Sequence, residues 1–141
     1  MLIERVLLLK SLSIFRDTPE NILAEIVHLM VESAVPTGTE IVSEGETGDC
    51  MYIIYDGTVN IFKQEQVLAK LGPKDFFGEL SLLDTETRSA TAKAVSDCVL
   101  FRIDQEPFYD MMESRPEVVR GVIKILCQRL RAQNQRLLEA Q

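Results

Sequence analysis

The central part of the chain, residues 32–103, is divided into short apolar runs by residues that favour turns. Turn signals occur at Pro36 and Gly38 and again at Asp56 and Gly57, a dipeptide typical of tight hairpins. Runs this short fit strands better than helices, and several in succession predict an antiparallel sandwich or roll. The predicted strands lie at 33–35, 40–42, 50–55, 58–62, 67–71, 90–94 and 98–103.

Helical patterns occur on both sides of this region. Residues 1–12 and the segment after Thr18 and Pro19 carry apolar residues at helical spacing, which predicts two N-terminal helices, the second capped by Thr18. Asp104 is predicted to cap a short helix. A capping box that starts at Ser114 is predicted to begin a long helix that reaches Leu138. The predicted fold class is therefore α+β, an antiparallel, jelly-roll-like β-roll flanked by N-terminal helices and two C-terminal helices. We expect a single domain over 1–141, with N-terminal helices at 1–31, the roll at 32–103 and C-terminal helices at 104–141.

The long C-terminal helix carries an apolar stripe at Val119, Ile123, Leu126 and Leu130. Two interpretations fit this spacing. The stripe packs on the roll, or it forms a short seam with the same helix of a second copy. We favour packing on the roll, because the stripe spans too few heptads to support a coiled coil by itself.

Composition excludes several function classes. With 46% hydrophobic residues and a formal net charge of −7, the chain is an ordinary globule whose charge opposes direct nucleic-acid binding. Cys50, Cys98 and Cys127 are widely spaced, which favours reduced core thiols and a cytoplasmic location. With His28 as its one histidine, the chain is a poor candidate for a zinc site or a histidine-based triad. No apolar run approaches the roughly 20 residues that a membrane span needs.

The segment that follows residue 76 has the features of a phosphate-binding site. Gly78 lacks a Cβ and lets the backbone approach a ligand, and the short helical turn predicted after it presents free N–H groups. Arg88 adds a planar fork of donors and Ser89 adds a hydroxyl. Glu79 would repel a phosphate, so we expect it either to accept a bond from a sugar hydroxyl or to hold Arg88 in place.

These residues resemble the phosphate-binding cassette of cyclic nucleotide-binding domains, the family of bacterial catabolite activator proteins, protein kinase A regulatory subunits and cyclic-nucleotide-gated channels. The family pattern is roughly F-G-E-[LI]-[AGS]-L-[LIMF], a variable loop, then R-[SAT]-A. The chain matches it from Phe77 to Leu83 and again from Arg88 to Ala90. It departs from the eukaryotic pattern at Thr87, where proline is usual, although bacterial members often lack that proline. The cassette is taken here as residues 77–90.

The resemblance implies which residues contact the nucleotide. Arg88 would neutralise the cyclic phosphate, Glu79 would hold the ribose 2′-hydroxyl, and a residue of the last helix would cover the base. Arg129 lies about where other members place that lid, although an exposed surface role fits its position as well. The implied contact residues are Gly78, Glu79, Leu80, Ser81, Arg88, Ser89, Ala90 and Arg129, with the backbone N–H groups of Leu80 and Ser81 completing the phosphate shell.

The expected function is that of a regulatory domain. It would bind cyclic AMP, with cyclic GMP as the alternative ligand, require no cofactor, and relay binding through the C-terminal helix to a fused output domain or a second copy. We expect no enzymatic activity, because the motif supplies no nucleophile with an adjoining base. The principal rival is a degenerate fold that serves as a structural or dimerisation module without ligand, and that keeps Arg88 only for a salt bridge with Glu79.

Overall fold

The computed structural model describes residues 2–140 of the chain, so Met1 and Gln141, which belong to the predicted terminal helices, lie outside the described residues. The helices are α1 (Leu2–Ser11), α2 (Glu20–Val27), α3 (Glu79–Leu83), α4 (Gln105–Ser114) and α5 (Pro116–Glu139), with a 3₁₀ turn at Ser13–Phe15. The strands are β1 (Val31–Val35), β2 (Glu40–Val42), β3 (Thr47–Gly48), β4 (Cys50–Asp56), β5 (Val59–Lys63), β6 (Gln66–Leu71), β7 (Phe76–Phe77), β8 (Glu86–Thr87), β9 (Thr91–Ala94) and β10 (Cys98–Asp104).

The strands form an antiparallel roll, which confirms the predicted fold class. One four-stranded sheet has the order β1-β10-β4-β7, and a second has the order β2-β9-β5-β6. A two-stranded ribbon pairs β3 with β8, placing Thr47 opposite Thr87 and Gly48 opposite Glu86. The cassette thus begins at the edge strand β7 and ends between two paired elements, β8 and β9, which position it against the roll.

The predicted hairpin at Asp56 and Gly57 is wrong. Strand β4 belongs to the first sheet and β5 to the second, so these residues form a corner between sheets. Gly57 has a φ of 96°, and a Cβ there would lie 2.5 Å from the carbonyl oxygen of Asp97. The same turn chemistry serves a hairpin and a corner, and only the long-range pairing of the flanking strands separates the two.

The core has two parts. The first packs α1, α2, the 3₁₀ turn and α4 against the roll and includes Leu9, Leu23, Met51, Leu82 and Phe108. The second lies inside the roll, between its two sheets. Because Leu82 of α3 belongs to the helical core, the cassette is anchored on the side away from its polar residues.

None of the three predicted helix caps is formed by a side chain. Asp104 occupies the N-cap of α4 without a side-chain cap, and its carboxylate accepts a hydrogen bond from Nε of Arg102 at 2.8 Å. Helix α2 begins after Pro19 with no side-chain cap, so Thr18 does not cap it. Ser114 donates its hydroxyl to the carbonyl of Met111, and α5 starts after Arg115 with proline in its first turn. In α2 and α5 the N-cap is the residue after the predicted one, Pro19 and Arg115, so Thr18 and Ser114 lie one position too early to cap these helices.

Helix α5 packs through a face other than the predicted stripe. Val118 is buried and Val122 and Ile125 are partly buried against the helical core. Ile123 is 54% exposed and Leu130 is 59% exposed, so packing of that stripe on the roll is wrong. Only the first turns of α5 reach the core, and their contacts with α4 and the 3₁₀ turn fix the rotation of α5 about its axis. That rotation turns the predicted stripe away from the roll. Among residues 2–140, no helix combines the length and apolar character needed to cross a membrane.

Candidate functional site

Gly78 begins the cassette in a conformation that suits glycine. Its φ is 81°, in the left-handed region, and it directly precedes the short helix α3. A Cβ at this position would lie 2.6 Å from Nη1 of Arg88 and 3.0 Å from the carbonyl oxygen of Cys50. The missing side chain therefore provides the space that the guanidinium of Arg88 occupies.

Arg88 is buried, with 8% of its surface exposed. Its backbone is fixed on both sides, because its N–H donates to Glu46 at 2.7 Å and its carbonyl accepts from Gly45 at 2.9 Å. Its Nη2 donates to the carbonyl oxygen of Cys50 at 3.0 Å and lies 3.4 Å from the Cys50 thiol. The ion pairs found among residues 2–140 do not include Arg88. A buried guanidinium that pairs with no carboxylate has the charge and the donors that suit an anion.

Gly48 closes the other side of the same guanidinium. A Cβ on Gly48 would lie 2.3 Å from Nε of Arg88 and 2.7 Å from Oγ of Ser81. Two glycines from distant parts of the sequence thus enclose one arginine. The pattern of glycines in the 45–48 loop was visible in the sequence, but only the pairing of β3 with β8 places Gly48 against the cassette.

Glu79 pairs with the C-terminal helix. Its Oε1 accepts a hydrogen bond from Nη1 of Arg129 at 3.0 Å, and the two side chains are 22% and 37% exposed. Glu79 does not hold Arg88 in place, because the guanidinium of Arg88 donates its hydrogen bond to the carbonyl of Cys50. Arg129 therefore does not have the exposed surface role that also fitted its sequence position. It joins α5 to Glu79, the first residue of α3.

Glu79 and Arg88 line a cleft of about 200 Å³, whereas Arg129 reaches Glu79 without lining the cleft itself. Its floor is apolar and comes from Val42, Ile61 and Ala92, which belong to the second sheet. The cassette supplies the remaining walls, which comprise Phe77, Gly78, Glu79, Leu80, Ser81, Glu86, Arg88, Ser89 and Ala90. The cleft therefore combines an apolar surface that suits a flat ring with a cation and hydroxyl groups that suit a phosphate.

Ser81 differs from its predicted role in one respect. It is 3% exposed, and its backbone N–H donates to the carbonyl of Gly78 at 3.1 Å. That amide is engaged within the turn, whereas the N–H of Leu80 belongs to the first turn of α3, where helical partners are lacking. The carbonyl of Ser81 accepts from Nε2 of Gln105 at 3.2 Å, so α4 braces the cassette from behind.

Cys50 and Tyr52 support the site from β4, although the sequence reasoning placed them in the core and not at the site. The ring of Tyr52 stacks on Phe77, with 5.3 Å between centroids. Burial, reinforced by the adjoining Cys50 thiol, raises the pKa of Tyr52 to about 12. Tyr52 therefore stays protonated and neutral beside the arginine at physiological pH. Among the described residues, no group of histidine, cysteine or carboxylate side chains is arranged to hold a metal ion.

Comparison with known proteins agrees with this geometry. A sequence model described as the cyclic nucleotide-binding domain matches residues 32–115, which is more than half of the chain. The chain belongs to the cyclic nucleotide-binding domain family. The match includes the whole roll from β2 to β10, the cassette and α4.

Two bacterial relatives are a transcriptional regulator and a receptor protein. The chain is 29% identical to the CRP-like cAMP-activated global transcriptional regulator of Mycobacterium tuberculosis, over 94% of this chain and 61% of that protein. It is 38% identical to the cyclic AMP receptor protein of Thermus thermophilus, over 68% of this chain and 47% of that protein. The chain therefore spans about half to three fifths of the length of these relatives. The N-terminal domain of a transcriptional regulator from Streptomyces coelicolor superposes with a TM-score of 0.87 at 27% identity, covering 92% and 94% of the two chains.

Proposed function

We propose that this chain is a regulatory domain that binds a cyclic nucleotide, with cyclic AMP as the preferred ligand, and that α5 transmits the binding event. The observation that carries the proposal is Arg88, a buried cation that pairs with no carboxylate among residues 2–140 and faces a cleft in a chain of net charge −7. An acidic chain attracts a phosphate only through such a locally built site. Ser89, exposed beside Arg88, supplies a hydroxyl donor to the same anion.

The ribose is proposed to bind Glu79. Its Oε1 already accepts a bond from Arg129, but an ionised carboxylate has about four acceptor positions, so one remains for a ribose hydroxyl. A ligand without the 2′-hydroxyl would leave an acceptor position of the partly buried Glu79 carboxylate without a hydrogen bond. This contact favours ribonucleotides over their deoxy analogues.

The base is proposed to lie near the apolar floor, with Arg129 beside it at the edge of α5. Base choice rests on Ser89, which keeps a hydroxyl but lacks the methyl group that restricts a threonine rotamer. We expect cyclic AMP to bind as tightly as cyclic GMP or more tightly, by about 1 kcal/mol, the size of one net hydrogen bond. Competition of both nucleotides against a fluorescent analogue measures this, and a tenfold preference for cyclic GMP would contradict it.

The relay is proposed to run through the Glu79–Arg129 pair. A ribose hydroxyl on Glu79 changes the hydrogen bonding of the carboxylate that Arg129 contacts, so the ligand interacts differently when the Glu79–Arg129 bond is formed and when it is broken. Such a difference is what a ligand needs in order to shift a conformational equilibrium. The role proposed is binding without turnover, and the cleft is lined by neither a histidine nor a cysteine.

The exposed stripe on α5 supports a second candidate, a dimerisation role. Ile123, Leu130 and Leu137 are more than half exposed, which is an apolar surface available to the same helix of a second copy. This role is compatible with nucleotide binding, and it would stand alone if the cleft took no ligand. Sedimentation velocity with and without cyclic AMP separates the two cases.

The direct test is titration calorimetry with cyclic AMP and cyclic GMP, and with 5′-AMP as the acyclic control. We expect saturable binding of the cyclic nucleotides in a 1:1 ratio, with 5′-AMP much weaker because it carries a second phosphate charge and lacks the ring. If both cyclic nucleotides fail to bind at millimolar concentration, the ligand-free structural role replaces this proposal.

A further inference from the structure

A second cavity lies on the side of α3 that faces away from the nucleotide cleft. It has a volume of about 270 Å³, opens to solvent on one side, and is bounded by α3, α4, α5, Ile26 of α2, the 3₁₀ turn and the segment 17–19 that follows it. We call it the α3–α5 cavity. Its inner wall consists of buried apolar side chains, which include Phe15, Ile26, Leu82, Phe108 and Val118. Closely packed elements leave few spaces larger than a water molecule between them, so an apolar space of this size between helices needs a reason.

The α3–α5 cavity and the nucleotide cleft have no lining residue in common. Helix α3 separates them. Its first residues, Glu79 and Ser81, line the cleft, and its last residues, Leu82 and Leu83, line the cavity. A molecule in the cavity would therefore contact the cassette without entering the site proposed for the nucleotide.

Gly121 indicates that the space is kept open by the sequence. It lies inside α5, where glycine destabilises a helix relative to alanine, and it lines the cavity. A Cβ on Gly121 would find no other atom within 4 Å. Packing therefore does not require glycine here, since a methyl group would fit. A larger side chain at position 121 would occupy the cavity.

The mouth of the cavity carries balanced charge. Asp17 and Glu117 contribute two carboxylates, and Arg120 and Lys124 contribute two cations. Lys124 lies 3.8 Å from Asp17, a weak exposed pair. Because these charges balance, the mouth favours neither anions nor cations. The apolar interior therefore determines which kind of molecule binds.

We infer that the α3–α5 cavity is a binding site for a small uncharged apolar molecule, with Gly121 keeping it open. Cavities of about 150 Å³ with aliphatic and aromatic linings stay dry and bind benzene, so this larger space admits a bicyclic ring of the size of indole. Because Leu82 and Leu83 form one wall, the occupant also holds α3 in place relative to α5. Any consequence of this for nucleotide binding rests on the proposed function, whereas binding of a molecule to the cavity does not.

The test measures binding of indole to the full chain by saturation-transfer NMR and thermal shift. We expect wild type to bind indole at millimolar concentration or below and to melt at a higher temperature in its presence. Gly121→Leu fills the cavity and should weaken indole binding at least tenfold. Gly121→Ala adds one methyl group and should keep binding within a few-fold of wild type, although it removes the same helix glycine. Gln133→Leu adds the same side chain at an exposed position of α5 and should leave binding unchanged.

Three results would overturn the inference. One is the absence of indole binding to wild type at its solubility limit. Another is equal binding to wild type and Gly121→Leu, which would place indole elsewhere, including the nucleotide cleft. The third is a dimer that Gly121→Leu converts to a monomer, which would assign the cavity to a second copy of the chain. If Gly121→Leu does not fold, Gly121→Met fills the space with a more flexible side chain and is judged by the same comparison. Failure to bind cyclic AMP leaves all these results interpretable.

Discussion

Nη1 of Arg129, on the C-terminal helix, donates a hydrogen bond to Oε1 of Glu79, in the cassette, at 3.0 Å. The two residues are 50 positions apart in sequence. Their pairing is the polar contact that joins α5 to the residue proposed to hold the ribose. The relay proposed for this domain therefore depends on a contact that can be removed without touching the phosphate site.

Arg129→Ala should change signalling more than folding. The pair is partly exposed, so its loss should lower stability by no more than about 1 kcal/mol. We expect cyclic AMP still to bind, but the ligand-dependent change in hydrogen exchange along α5 to diminish. Arg131→Ala, on the exposed face of the same helix, is the matched control and should behave as wild type. An undiminished response of α5 in Arg129→Ala would exclude this pair as the relay.

Arg88→Ala should weaken cyclic AMP binding by about 3 kcal/mol or more, the range for removing one partner of a buried charge pair. This is a loss of over a hundredfold in affinity. The circular-dichroism spectrum should be retained, because among residues 2–140 the guanidinium donates hydrogen bonds to Cys50 alone and to no element of the helical core. Lys93→Ala removes an exposed cation from neighbouring strand β9 and should leave affinity nearly unchanged. Affinity in Arg88→Ala equal to that of wild type would remove the phosphate role.

Glu79→Gln should reduce selectivity for ribose. With the charge removed, 2′-deoxy cyclic AMP should bind nearly as well as cyclic AMP, because the contact with the 2′-hydroxyl loses its charge assistance. The measurement is a pair of titrations with the two nucleotides on each protein. If wild type already binds both equally, Glu79 serves only as the partner of Arg129.

Gly48→Ala should impair the site from outside the cassette. The added Cβ would lie 2.3 Å from Nε and 2.6 Å from Cζ of Arg88, so the guanidinium has to move. We expect at least a tenfold loss in cyclic AMP affinity. Gly72→Ala is the matched control, because a Cβ on Gly72 has no atom within 4 Å and its φ lies outside the left-handed region. Equal affinities in the two variants would show that the position of Arg88 is not critical.

The stability of the fold should decrease between pH 10 and pH 12. Burial raises the pKa of Tyr52 from 10.0 to about 12, so below pH 10 the tyrosine is protonated in both states. Between the two values the unfolded chain loses the proton more readily, which favours unfolding as the pH rises. Denaturant titrations should show a smaller decrease in the free energy of unfolding for Tyr52→Phe than for wild type. The control Tyr55→Phe, at an exposed residue of the same strand, should show the same decrease as wild type. The same decrease in Tyr52→Phe and wild type would contradict the assignment.

Local chemistry explains what was predicted correctly. The strands at 40–42 and 98–103 lie between turn residues, and the long helix begins at a proline, so short-range patterns suffice to place them. The cassette is likewise contiguous, and the structure places Gly78, Arg88 and Ser89 around one cleft. Two-residue strands such as β3 and β8 escaped prediction because neither has a pattern of its own, and each exists only through its partner.

The sequence by itself determined the roll, the helices at both ends and the segment that carries Arg88, because turn chemistry and periodicity act over a few residues. Only the tertiary structure decided that Gly48 and Cys50 enclose the guanidinium and that α5 packs through Val118 and not through Ile123. These features join residues far apart in the chain. Their geometry follows from how the two sheets and the C-terminal helices pack together, and no local pattern encodes the rotation of a helix about its axis.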